Sequence, residues 1–145
     1  MWVTRRTDYA SRAVLALAMA DPESLKLDEI AEVTASPPSV LEQVMPTLRA
    51  AGIVRSVRGP RGGYRLNRAP GDITLERIIR LFQGQLAPIG YATRRNPDPC
   101  PLFVANSLRE VWIEVRDATI DILGKTTFAE LAARAAANHV PAEAP

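Results

Sequence analysis

Apolar residues recur at spacings of three and four through the first fifty residues, a pattern typical of short helices that bury one face. A first helix is predicted from about Thr7 to Ala20, and Pro22 ends it because proline cannot extend the hydrogen-bond ladder. A second helix is predicted from Asp28 to Thr34, and a third continues to Gly52. Helices joined by such a short turn have the spacing of a helix-turn-helix.

The start of the third helix carries two candidate signals. Ser36 followed by Pro37 fits an N-cap with proline at the first helical position. Ser39 and Glu42 fit a capping box that would start the helix later. Pro46 lies inside the helix and predicts a local kink, since it removes one ladder bond.

Two β-rich runs, Ile53 to Val57 and Tyr64 to Leu66, flank a glycine-rich segment. Its glycines supply backbone angles that other residues resist, and Pro60 stiffens one corner. The sequence therefore predicts a β-hairpin with a tight, protruding tip, placed as a wing after the helix-turn-helix. A fourth helix is predicted from Thr74 to about Gln83.

The last third of the chain contains a loop and a long helix. Gly84 to Pro101 holds four prolines and predicts a loop. Leu102 to Leu123 is predicted to be one helix whose apolar positions alternate spacings of four and three. A seam of this kind must be buried against a partner helix, which predicts a homodimer. The seam consists of Val104, Leu108, Val111, Val115, Ala118 and Ile122.

The predicted fold class is mainly α with a small β-hairpin, a winged helix-turn-helix followed by a long dimerisation helix. The winged helix-turn-helix is expected over residues 1–83 and the loop over 84–101. The dimerisation helix and a short terminal helix are expected over 102–135, with a flexible tail over 136–145. Hydrophobic residues at 47% and charged residues at 23% are sufficient for a packed core.

The single cysteine, Cys100, excludes a disulfide within one chain and is compatible with a reducing cytoplasm. No stretch reaches the roughly 18 apolar residues that span a bilayer. The basic and then apolar N-terminus has features of a signal peptide, but Asp8 interrupts the basic part and the apolar run is short. We therefore expect a cytoplasmic protein that does not contact a membrane.

Positive charge is concentrated in one segment, although the net charge is only +2. Six arginines and no acidic residue lie between positions 49 and 68: Arg49, Arg55, Arg58, Arg61, Arg65 and Arg68. Such a cluster can neutralise several phosphates, and Gly59, Gly62 and Gly63 would let the backbone approach a groove of DNA. Arg58 or Arg61 could then enter a narrow minor groove. The alternative is a solvated hairpin whose charges only aid solubility.

The third helix would read bases in double-stranded DNA. Ser39 and Gln43 can hydrogen-bond to base edges, adenine being the usual partner of glutamine. Glu42 could accept a hydrogen bond from cytosine or repel a wrong approach. In the alternative interpretation, Ser39 and Glu42 serve only as the capping box and Gln43 is merely exposed.

Several segments of the sequence resemble a known protein family. The chain resembles the Rrf2-type bacterial regulators in Thr7-Asp8-Tyr9-Ala10, in Leu48-Arg49-x-x-Gly52 and most clearly in Ser56-Val57-Arg58-Gly59-Pro60-x-Gly62-Gly63-Tyr64-x-Leu66. The resemblance covers roughly residues 1 to 135. It implies a homodimer with two winged heads on a partly palindromic operator, where the third helix reads the major groove and Arg58 reaches the minor groove.

Many members of that family hold an iron–sulfur cluster on three cysteines in the loop before the long helix. Here only Cys100 stands in that loop, and Asp8 matches a position that supplies a carboxylate ligand in some relatives. One thiolate and one carboxylate are too few for a conventional cluster of about four ligands. We therefore expect no cofactor and no metal, unless ligands come from both subunits. Cys100 is then either a redox-active thiol or a residue without a role.

The sequence features bear on four classes of function. A sequence-specific DNA-binding transcriptional regulator, with an unknown small-molecule or redox effector, is the preferred interpretation. A winged helix used as a protein-interaction module is the first alternative, and a redox sensor using Cys100 or an atypical cluster is the second. An enzyme is not expected, because the one histidine, His139, lies in the tail and the one cysteine lies between prolines.

Overall fold

The computed structural model describes residues 3–92, 98–99 and 105–139. This part of the chain forms six helices and one two-stranded antiparallel hairpin, so the fold class predicted from the sequence is confirmed. The elements are α1 (Arg5–Ala20), α2 (Leu27–Thr34), α3 (Pro38–Ala50), β1 (Val54–Val57), β2 (Gly63–Leu66), α4 (Leu75–Gln83), α5 (Ala105–Lys125) and α6 (Phe128–Asn138). Short 3-10 turns occupy Pro70–Asp72 and Gly90–Ala92.

Helix α1 lies at the centre of the molecule and packs against α2, α3, α4 and α6. The side chains of Ala10 and Ala13 are fully buried, and their small size lets neighbouring helices approach closely. The helix begins two residues before the predicted Thr7 because the Thr4 hydroxyl caps it, accepting a hydrogen bond from the Thr7 N–H at 3.2 Å. Its end at Ala20 is as predicted.

The turn between α2 and α3 differs from the prediction. Ala35 ends α2 in the left-handed conformation, with φ of 50°. Ser36 is buried in this turn, where its hydroxyl accepts a hydrogen bond from the Thr34 hydroxyl at 2.7 Å, so it does not cap α3. Helix α3 begins at Pro38 with no side-chain cap, and proline fits there because it has no N–H to satisfy.

The capping box predicted for Ser39 and Glu42 is also absent, because α3 already includes Ser39 in its first turn and has no capping side chain. Pro46 lies inside α3, as predicted, and its side chain is exposed. Gly52, with φ of +72°, follows the end of α3, and its N–H donates to the Arg49 carbonyl at 3.0 Å. It therefore provides the expected C-terminal stop.

Helices α4 and α6 both pack against α1 and complete the core. Phe128 is fully buried, and its N–H donates to the Ile73 carbonyl at 2.9 Å. Helix α6 continues through Asn138, so the flexible tail predicted from position 136 begins too early. The reason is the run of alanines before Asn138, because alanine has the highest helix propensity.

Helix α5 has an apolar face that the described part of the chain leaves exposed. Its start, predicted at Leu102, and the seam residue Val104 lie outside the described residues. The remaining seam residues are all exposed: Leu108, Val111, Val115, Ala118 and Ile122. Among the described residues, no helix has both the length and the apolar character that crossing a bilayer requires.

Candidate nucleic-acid interface

Helix α3 separates an apolar face from a polar one. Leu41, Val44, Met45 and Leu48 are fully buried on the core side. The three residues predicted to read bases, Ser39, Glu42 and Gln43, are all exposed. Glu42 and Gln43 follow Ser39 by three and four residues, which places both next to it on one face near the N-terminal end of the helix. The structure thus brings the predicted base-reading residues together on a free surface.

The hairpin has a defined register that sorts its side chains between two faces. Val54 pairs with Leu66, and both are buried against the core. The next pair is Arg55 with Arg65, which must lie on the opposite face because side chains alternate along a strand. Ser56 and Tyr64 return to the inner face. This inner face is the one turned toward α3.

The tip of the hairpin is a closed turn that presents arginines. The Gly62 N–H donates a hydrogen bond to the Gly59 carbonyl at 2.8 Å, with Pro60 at the second position of the turn. Arg58, Gly59, Pro60 and Arg61 are all exposed there. Gly59 has φ of +106° and open space around it, which leaves its backbone accessible to a ligand.

Gly62 and Gly63 have a structural role that the sequence did not reveal. A Cβ on Gly62 would lie 2.3 Å from the Val57 carbonyl oxygen. A Cβ on Gly63 would lie 2.3 Å from the Leu25 carbonyl oxygen, and its φ of +142° also favours glycine. Both glycines are therefore required by packing within the chain, whatever they contribute to DNA contact.

The hairpin is held to the segment before α2. The Leu25 N–H donates to the Tyr64 carbonyl at 2.9 Å, and the Tyr64 N–H donates to the Leu25 carbonyl at 2.7 Å. The Tyr64 side chain is half-buried and packs against the core. Nearer the tip, the Ser24 hydroxyl donates to the Arg61 carbonyl at 2.6 Å. These bonds fix the direction in which the tip protrudes.

A direct side-chain contact connects α3 to the hairpin. Arg49, in the last turn of α3, donates a hydrogen bond from Nη1 to the Ser56 hydroxyl at 3.3 Å. Both side chains are exposed. Ser56 was missing from the predicted site, although its place one residue after Arg55 in an alternating strand indicates an inward-facing polar group.

The arginines of this region are not neutralised by acids. Among the described residues, none of Arg49, Arg55, Arg58, Arg61, Arg65 and Arg68 forms an ion pair. Four arginines elsewhere do pair with carboxylates: Arg12, Arg80, Arg116 and Arg134. Within the described residues, the α3 polar face and the hairpin therefore carry an excess of positive charge, with Glu42 as the one carboxylate on that face, as phosphate binding requires.

The residues considered for a metal cluster do not form a ligand set. Asp8 is engaged with Arg12, with 2.7 Å between carboxylate and guanidinium. Cys100 lies outside the described residues. In the ranges that the structure covers, no three histidine, cysteine, aspartate or glutamate side chains group together. With one cysteine in the whole chain, the donors of a single chain do not fit a conventional iron–sulfur cluster.

Comparison with known proteins gives a consistent result. Residues 3–134 match the family model described as Rrf2, iron-dependent transcriptional regulator. An rrf2-like HTH-type transcriptional regulator of Rhodobacter capsulatus is 32% identical over 138 residues, which cover 90% of this chain and 92% of the relative. The HTH-type transcriptional regulator CymR of Bacillus subtilis is 38% identical over 111 residues, covering 77% and 72%.

Solved structures of similar proteins also match this chain. The structure of CymR, the global cysteine regulator of B. subtilis, superposes with a TM-score of 0.77 at 31% identity, covering 92% of this chain and 98% of CymR. The structure of T. potens IscR gives a TM-score of 0.76 at 31% identity, covering 97% and 93%. The two relatives are named as transcriptional regulators, which agrees with the predicted class of function. The chain belongs to the Rrf2 family and is a DNA-binding transcriptional regulator with a winged-helix fold.

Proposed function

We propose that this regulator binds a partly palindromic operator as a homodimer, with α3 in the major groove and the hairpin tip in the adjacent minor groove. The observation that carries the proposal is the continuity of the surface. The exposed polar residues of α3 and the exposed arginines of the tip belong to elements joined by the Arg49–Ser56 hydrogen bond. One protein surface can thus address two neighbouring grooves.

In this arrangement the first turns of α3 read sequence. Gln43 offers both a donor and an acceptor, which suit the adenine edge in the major groove. Ser39 can pair with several base edges, and Glu42 accepts from the cytosine amino group. Their exposure and their position on one face of α3 support these roles. Arg49, at the other end of the helix, binds phosphate and sets the depth of insertion.

The tip supplies charge and reads groove width. Arg58 enters the minor groove, where a narrow groove concentrates negative potential. Arg61 and the accessible backbone at Gly59 and Pro60 contact the sugar-phosphate walls. The closed turn and the tether to Ser24 support this role, because a preorganised tip loses little conformational entropy on binding.

Helix α5 joins the two heads. Its exposed seam residues would be buried against the same residues of a second copy, since a two-fold interface uses one patch on both subunits. Leu108 and Ile122 are 55% and 65% exposed, unusually high for large apolar residues on one stripe. A homodimer places two α3 helices in symmetric positions, which is why we propose a partly palindromic operator.

The proposal is tested by selecting duplexes from a random library with the full-length protein, then comparing wild type with Gln43→Ala and Arg58→Ala. We expect an enriched motif with two inverted half-sites. Gln43→Ala should relax the preference at one position of each half-site, while Arg58→Ala should weaken binding to all duplexes. Arg77→Ala on α4, an exposed arginine far along the chain from both elements, is the control.

Failure to enrich any motif at moderate salt would contradict the proposed function and favour a protein-interaction module. Enrichment of a motif that neither Gln43→Ala nor Arg58→Ala affects would contradict the assignment of contacts. Enrichment of a single, unrepeated half-site would contradict the symmetric homodimer.

A further inference from the structure

A second cluster of arginines lies on the outer face of the hairpin, away from α3 and from the tip. Arg55 and Arg65 are directly opposed across the two strands on that face. Together with Arg68 they line a polar pocket of about 300 Å³ at the base of the hairpin. The remaining lining residues are Asp21, Leu66, Asn67 and Ala69. We call this pocket the outer arginine pocket.

The arrangement of Arg55 and Arg65 is unfavourable for the chain alone. Side chains at directly opposed cross-strand positions are close neighbours, and like charges there destabilise a sheet. The Nε of Arg65 is buried and has no hydrogen-bond partner among the described residues. A buried guanidinium N–H without an acceptor is costly, so an acceptor supplied by a bound group would stabilise this arrangement.

The charge of the pocket specifies the kind of group. Three arginines and one acidic residue, Asp21, line the pocket, so it has an excess of positive charge. Asp21 forms no ion pair with any of them in the part of the chain that the structure describes. Planar guanidinium groups bind phosphate oxygens in pairs of hydrogen bonds, and a phosphate would relieve the repulsion between Arg55 and Arg65.

We propose that the outer arginine pocket is a phosphate-binding site. Its phosphate comes either from the DNA strand that borders the far side of the inserted tip or from a free phosphate compound. With DNA as the source, the inference rests on the proposed function and extends the footprint of each head beyond α3 and the tip. With free phosphate as the source, the pocket is an independent effector site beside the DNA-binding surface.

The free-phosphate source is tested by thermal unfolding of the full-length protein in inorganic phosphate and in chloride at equal ionic strength. If phosphate binds, the Tm rises by about 2–4 °C at a concentration several times the Kd. The rise should be lost in Arg65→Gln and retained in the matched control Arg77→Gln. Broadening of the ³¹P resonance of inorganic phosphate by wild type, and not by Arg65→Gln, would show the same binding directly.

Binding of a DNA phosphate in this pocket is tested by measuring the salt dependence of DNA affinity for the double variant Arg55→Gln/Arg65→Gln. Loss of two phosphate contacts reduces the slope of log K against log salt by about two and weakens binding to all duplexes. The double variant Arg77→Gln/Arg134→Gln removes the same charge from exposed positions elsewhere and should leave the slope nearly unchanged. If variants at Arg65 do not fold, Arg68→Gln replaces Arg65→Gln in the unfolding experiment, and Arg55→Gln/Arg68→Gln replaces the double variant in the salt series.

The outcomes separate the sources. A phosphate-dependent rise in Tm that requires Arg65 identifies a free phosphate compound as the source. A reduced salt slope in the double variant, with no phosphate-dependent rise in Tm of the wild type, identifies DNA as the source. Neither effect in any of these variants would overturn the proposal. A phosphate response in a protein that shows no sequence preference for DNA would retain the pocket while contradicting the proposed function.

Discussion

Arg49 in the last turn of α3 donates a hydrogen bond to the Ser56 hydroxyl in β1, so the helix that we propose to read the major groove and the strand that leads into the hairpin tip are directly connected. Both side chains are exposed, and neither is needed to fill the core. The contact therefore serves the binding surface more than the stability of the fold.

This contact gives a first prediction. Arg49→Ala should weaken DNA binding and lower the salt slope by about one, because one phosphate contact is lost. Ser56→Ala should weaken binding less, and it should change the free energy of unfolding by no more than about 1 kcal/mol, as expected for one exposed hydrogen bond. Fluorescence anisotropy and urea unfolding measure the two effects. Equal DNA affinities for wild type and Arg49→Ala would contradict this assignment.

The seam on α5 gives a second prediction. Val115→Glu should convert the proposed homodimer into monomers, because it would place a carboxylate in an apolar interface. Asn106→Glu adds the same charge nine residues earlier, about half a turn around the helix, and should remain dimeric. Sedimentation velocity distinguishes the two states. A Val115→Glu protein that stays dimeric at micromolar concentration would show that the interface lies elsewhere.

The turn before α3 gives a third prediction, on stability. Ala35 has φ of 50°, a conformation that costs a non-glycine residue roughly 1–2 kcal/mol. Ala35→Gly should therefore raise the free energy of unfolding by up to about 1 kcal/mol, with part of the gain offset by the greater freedom of glycine in the unfolded chain. Ala50→Gly, in the last turn of α3, is the control and should destabilise. A less stable Ala35→Gly protein would argue against the left-handed turn.

The small number of possible iron–sulfur ligands gives a fourth prediction. Protein purified without oxygen should be colourless and lack absorption bands in the visible range, since one cysteine per chain does not supply a conventional cluster. Such a colourless protein should still bind the selected duplex. A brown protein whose colour is lost in Cys100→Ala would contradict the prediction and show that two subunits complete a site together.

Much of the fold could be predicted from local patterns. The buried faces of α1 and α3 follow from apolar spacing, and the hairpin follows from glycines between two β-rich runs. Ser36 was misassigned because its local context fits an N-cap, while its actual position depends on the left-handed turn at Ala35, which is an unusual conformation for alanine.

The parts that could not be predicted depend on contacts between distant segments. The pairing of Leu25 with Tyr64, which explains Gly63, joins residues far apart in sequence. The outer arginine pocket could not be predicted for a different reason. The clustering of arginines is visible in the sequence, but the opposition of Arg55 and Arg65 follows only from the register of the hairpin. Among the predicted site residues, Ser39, Glu42 and Gln43 share one surface, whereas Cys100 lies outside the described residues.

The most direct test of the central claim, that α3 and the wing read DNA sequence, is the affinity of the wild-type protein for its selected duplex and for a scrambled duplex over a series of salt concentrations. The account predicts that the selected duplex binds at least about 1,000-fold more tightly at physiological salt, and that Arg58→Ala lowers both the affinity and the salt slope, by about one. Equal affinities for the two duplexes, with no effect of Arg58→Ala, would contradict it.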